Sequence, residues 1–112
     1  MPIDEQYQKD FTNLTEMTKY CRDIIKQLKK SKKFYIGLTE NPEQRLKEHI
    51  EKKKMKNMVI LCKIPGKYKN KTILLETRLL KRFDINNNLN EIQEGGGGID
   101  DAEYHYIYVL FR

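Results

Sequence analysis

Apolar residues recur at helical spacing near the start of the chain, where Leu14, Met17, Cys21, Ile24 and Leu28 fall on one stripe. Asn13 precedes the stripe as a cap and Glu16, three positions on, completes the pattern of a capping box. Ser31 ends it, so the spacing predicts a helix over residues 13–31. Residues 33–38 read as a short strand. Asn41-Pro42 marks the next helix start, with Asn as cap and Pro in the first turn. That helix runs to about Lys53 with Leu46 and Ile50 facing inward. Residues 57–64 read as a buried strand, Pro65-Gly66 as a turn, and residues 71–83 as a third helix with Ile73, Leu80 and Phe83 on its apolar face. A loop rich in Asn and Gly covers Asn86 to Gly98. Residues 104–111 are hydrophobic on both faces, as a strand in the middle of a sheet must be. The elements predict one α+β domain over residues 1–112, with three strands, the last of them central, and a polar, loose stretch at residues 1–12.

Composition narrows this picture. At 112 residues and 38% hydrophobic, the chain buries a modest core. No run of about 18 apolar residues is present, so no membrane span is expected. The first residues lack the basic-then-apolar pattern of a secretory signal. Cys21 and Cys62 have no metal-type spacing and sit in apolar segments. They read as buried, reduced thiols of an intracellular protein, cytoplasmic or nuclear. The net charge is +6, from 22 Lys+Arg against 16 Asp+Glu. Lysines cluster at 29–33, at 52–56 and at 63–71, as a polyanion partner would require or as ordinary solvated faces would show.

The candidate chemistry lies in residues 34–49. Tyr35 sits at one end of a short apolar strand, and Arg45 and His49 stand one turn apart on the following helix. A phenol, a guanidinium and an imidazole on one patch suit the gripping and cleavage of a phosphodiester. Glu76 shares a helix face with Ile73, Leu80 and Phe83. A carboxylate on an apolar stripe is costly unless it is hydrogen-bonded, ion-paired or bound to a cation.

The segment resembles the core of the GIY-YIG nuclease superfamily. The resemblance covers about residues 33–98. Tyr35-Ile36-Gly37 matches the second motif; Arg45 follows that tyrosine by ten residues and His49 lies one turn later. Leu75-Glu76-Thr77-Arg78-Leu79-Leu80-Lys81-Arg82-Phe83 matches the family's glutamate helix, and Asn90 ahead of Gly95 to Gly98 matches its asparagine. The Gly-Ile-Tyr strand of the first motif is missing before Tyr35, where the helix of residues 13–31 stands instead. Tyr106-Ile107-Tyr108-Val109-Leu110 looks like that strand, so a circular permutation is expected, with Tyr108 as the first-motif tyrosine.

The resemblance implies a small three-stranded antiparallel sheet flanked by helices. It implies an endonuclease in which Glu76 holds one Mg²⁺ or Mn²⁺. Arg45 stabilises the transition state, and Tyr35, Tyr108 or His49 takes the proton of the attacking water. Asn90 is expected to orient the glutamate or a water. Lys33, Lys52, Lys53, Lys54 and Lys67 are candidate contacts to DNA, duplex or branched, with RNA a further substrate class. Specificity in so small a core calls for a homodimer or a protein partner. Two other classes stay open: a nucleic-acid-binding module of the same fold without turnover, and an interaction domain using Leu14, Met17 and Ile24.

Overall fold

The computed structural model describes residues 3–53, 55, 57–83, 88–90 and 101–111, the Lys53 side chain excepted. Along the chain run β1 (Ile3–Asp4), β2 (Lys9–Asp10), α1 (Leu14–Lys29), β3 (Phe34–Thr39), α2 (Pro42–Lys53), β4 (Asn57–Pro65), a 3₁₀ turn (Gly66–Tyr68), α3 (Lys69–Arg82) and β5 (Tyr104–Phe111).

The last strand is central. β5 pairs antiparallel with β3 on one side and with β4 on the other. Tyr108 therefore stands opposite Gly37 on β3 and Ile60 on β4. Both faces of β5 are covered, which is why it reads as an unbroken apolar run. On one face, Ile107 and Val109 join Met17, Cys21 and Ile25 of α1 and Leu75 and Leu79 of α3. On the other, Tyr108 and Leu110 join Met58, Ile60, Met55 and Leu46 of α2.

Two expectations are corrected here. Residues 3–10 are not loose: they add two short parallel strands to the expected antiparallel core of β3, β5 and β4, which makes the whole sheet mixed. β1 and β2 pair parallel with successive stretches of β4, Ile3 opposite Met58 and Lys9 opposite Cys62. The edge of β4 offers unpaired backbone groups, and these two short segments satisfy them. The Tyr20 hydroxyl of α1 donates to the Tyr7 carbonyl between them. The second correction concerns Ile50, which is 43% exposed. The inward face of α2 instead runs through Leu46 and His49, one turn apart and both buried.

Helix caps follow the sequence closely. Asn13 Oδ1 accepts from the Glu16 amide at 2.9 Å, and Asn41 Oδ1 from the Gln44 amide at 3.2 Å. Glu16 takes the Thr12 hydroxyl at 2.9 Å. Leu14 and Ile24 pack partly buried against the core of which Met17 is part. On α3 the buried stripe is Thr72, Leu75, Glu76, Leu79 and Leu80, while Ile73 is half-buried. Cys21 and Cys62 are free and buried, and burial pushes the Cys62 thiol up to about 12. No helix among the described residues is long and apolar enough to cross a membrane.

Candidate active site

Three elements bring the site together. β3 carries Tyr35, α2 carries Arg45 and His49, and β5 carries Tyr108. The Tyr108 phenol is the hub. Its oxygen lies 2.9 Å from His49 Nε2, and Arg45 Nε donates to it at 3.4 Å. The Tyr35 ring sits 4.7 Å from the His49 ring and 6.4 Å from that of Tyr108, centroid to centroid. The phenol, guanidinium and imidazole singled out in the sequence thus meet at one place, with a second phenol among them.

Gly37 makes this possible. It faces Tyr108 across the β3–β5 pair, and a Cβ there would fall on the Tyr108 hydroxyl. Glycine is therefore required by close approach of a ring rather than by a turn.

Electrostatics fix the resting state of the hub. Burial pushes the Tyr108 phenol well above its ordinary value. The Arg45 hydrogen bond and charge oppose this, while the neighbouring Tyr35 and Glu76 add to it. Tyr108 is therefore a neutral phenol at physiological pH. Burial disfavours the Arg45 cation, but its bonds to Tyr108 and Glu48 outweigh this and hold it charged. Glu48 accepts from Arg45 Nη1 at 3.2 Å, so the guanidinium is held from two sides while half of the side chain stays exposed. The remaining N–H groups of its fork are suited to a phosphate. Glu48 was not among the sequence candidates; an acid three positions from an arginine is too common on helix surfaces to single out.

Glu76 projects from the buried face of α3 at 9% exposure, and its charge acts on Tyr108. Asn90 belongs to the edge of β3. Its Oδ1 accepts from the Ile36 amide at 2.9 Å, and its Nδ2 donates to the Ile36 carbonyl at 2.8 Å. Asn88 and Leu89 extend the same edge through a bridge to Phe34 and a 2.7 Å amide bond to its carbonyl. One carboxamide thus stands in for a neighbouring strand, beside the stretch of β3 that presents Tyr35 and Gly37. Asn90→Ala leaves two backbone groups of Ile36 unsatisfied and is expected to cost about 2 kcal/mol. Urea unfolding checks this, and unchanged stability with slower turnover alone would count against a clamping role.

The candidate lysines do not share one surface. Lys33 precedes β3 at the sheet end where Phe34 and Asn57 flank Phe111. Lys67 follows β4 at the opposite end, beyond the Pro65–Tyr104 pair. Lys52 is exposed on α2. The Lys53 side chain, Lys54 and Gly95 to Gly98 lie outside the described residues. Tyr106 is half-buried, packed against the cluster that holds Tyr108, while His105 is buried.

No curated protein and no solved structure matches the chain. A family model does, over residues 24–90, which include Tyr35, Gly37, Arg45, His49, Glu76 and Asn90 and end before β5. With more than half of its length matched in this way, the chain belongs to the GIY-YIG catalytic domain family.

Proposed function

We propose that the chain is a divalent-metal-dependent endonuclease that hydrolyses phosphodiester bonds of DNA. The observation that carries this reading is the Tyr108 hydroxyl, shared by His49 Nε2 and Arg45 Nε beside the Glu76 charge. Such a hub can move a proton without ever becoming a free phenolate. As water attacks phosphorus and the bond from phosphorus to the leaving oxygen breaks, Tyr108 accepts the water's proton and passes its own to His49 Nε2. The leaving oxygen takes a proton from solvent, and His49 returns one to solvent. Arg45 grips the phosphate and stabilises the charge that builds on it. Tyr35 packs against His49 and holds the imidazole in line with the phenol.

Glu76 is the residue that would hold the ion. Among the described residues no group of three or more His, Cys, Asp and Glu forms a protein cage. Mg²⁺ and Mn²⁺ suit such a place, because Mg²⁺ keeps several waters and takes one or two carboxylates together with substrate phosphates. When bound, the ion supplies Lewis-acid stabilisation of charge on the phosphate and the leaving oxygen.

The permuted arrangement belongs to the same proposal. β5 lies between β3 and β4, and it brings Tyr108 opposite the glycine of the Tyr-Ile-Gly strand. Tyr108 then fills the role of the first-motif tyrosine from the far end of the chain. Lys33 and Lys52 would contact the DNA backbone near this site.

The test is cleavage of labelled duplex, flap and junction DNA with Mg²⁺ or Mn²⁺ and with chelator. Cation-dependent cuts in at least one substrate are expected. Salt-sensitive binding to all of them with no cut in any would identify a binding module without turnover.

A further inference from the structure

At the sheet end remote from Lys33, lysines and aromatic rings interleave. Lys67 Nζ and Lys71 Nζ sit 5.2 Å and 5.4 Å from the Tyr68 ring centroid. Phe11 packs on Tyr68 at 5.3 Å, and two residues before it Lys9 lies 5.1 Å from the Tyr20 ring. The strip is continuous: Lys67 and Lys71 over Tyr68, Tyr68 on Phe11, and Lys9 next along the same segment. Among the described residues its acidic neighbours include Asp10 beside Lys9, Glu103, whose carbonyl takes the Gly66 amide at 2.8 Å next to Lys67, and Asp101, which takes Lys69 at 3.3 Å. Among the described residues Lys9, Lys67 and Lys71 form no ion pair.

We propose that this strip is a second contact surface for the phosphate backbone of the nucleic-acid substrate, flanking the bond that is cut. The proposal rests on the nuclease reading for the identity of the polyanion. Two features favour backbone over bases. The rings are already occupied by lysines or by one another, so they offer little open face for a base to stack upon. The lysines are held by those rings, which limits the side-chain freedom lost when a phosphate binds. The placement also fits. Lys71 precedes Glu76 by five residues on α3, about 7.5 Å along the helix axis. Lys71 also lies about 140° around the helix from Glu76, so a strand joining the two runs round α3 as well as along it. Contacts of this kind position a substrate without reading its sequence.

The experiment measures binding and not cleavage, so it stands apart from the outcome for catalysis. Fluorescence anisotropy follows two labelled duplexes of unrelated sequence across a salt series, with wild type and Lys67→Gln/Lys71→Gln. Each phosphate contact adds about 0.9 to the slope of log affinity against log salt, so the slope should fall by about 2. At 0.1 M salt the same arithmetic gives a loss on the order of 50-fold, equal for both duplexes. Lys67→Arg/Lys71→Arg should restore both, which separates charge from folding. Lys26→Gln/Lys81→Gln removes as much charge from exposed sites elsewhere and should change little. An unchanged slope in the first variant, or an equal loss in the control, would overturn the proposal. Binding with no cleavage by wild type would refute the nuclease reading and leave the strip in place.

Discussion

Glu76→Gln is expected to abolish cleavage while leaving the protein folded and bound to DNA. The side chain keeps its shape but loses its charge, and with it the carboxylate proposed to hold the cation. A lost Lewis-acid contribution of several kcal/mol corresponds to a rate decrease of at least about 10³-fold. Duplex affinity should stay within about threefold, because the proposed backbone contacts are made by lysines and Arg45. Stability should hold or rise. The carboxylate is buried on a helix face shared with Leu75, Leu79 and Leu80, where its interactions must offset the cost of desolvating a charge, a cost the neutral amide largely avoids. An activity gained at the expense of local stability is what a functional residue in an apolar setting produces. Cleavage by the variant at a tenth of the wild-type rate or more, with cation dependence intact, would remove Glu76 from the metal site. A fall in stability of several kcal/mol would instead mark it as a structural acid.

The sequence disclosed this site unevenly, for physical reasons. Asn13 and Asn41 announce helix starts because capping is local chemistry between neighbours. The centrality of β5 was visible because a strand covered on both faces cannot carry polar alternation. The inward face of α2 was harder. Leu46 and Ile50 are the apolar choices, yet the helix turns so that His49 is buried and Ile50 is exposed. The reason lies on β5, in the Tyr108 hydroxyl 2.9 Å from His49 Nε2, and no window of α2 contains it. The same holds for β1 and β2. Each has two residues, too few for any alternation, and each exists because β4 has an edge to fill. Asn90 could be placed in the family motif by order alone. Its grip on Ile36, 54 residues away, is a tertiary fact with no local signature.

The second large effect concerns the proton. Tyr108→Phe keeps the ring over Gly37 and removes only the hydroxyl that meets His49 and Arg45. Turnover should fall by about 10²- to 10³-fold, the range general acid–base catalysis supplies. His49→Ala should fall by a similar factor. If the two act as one relay, the double variant is little worse than either single one, because breaking a chain twice costs no more than breaking it once. Multiplicative losses would show separate roles and sink the relay. The pH profile gives an independent reading. A phenol held above its ordinary value stays protonated, so the wild-type rate should not climb with tyrosine ionisation between about pH 8 and 10. A steady climb through that window would make Tyr108 a phenolate base. Stability carries the complementary sign. The neutral phenol is favoured in the folded chain, so its contribution is complete below the unfolded value of 10.0 and is lost as pH rises above it. Wild type should therefore weaken in alkali more steeply than Tyr108→Phe, and unfolding midpoints compared at about pH 8 and pH 11 would reveal the difference.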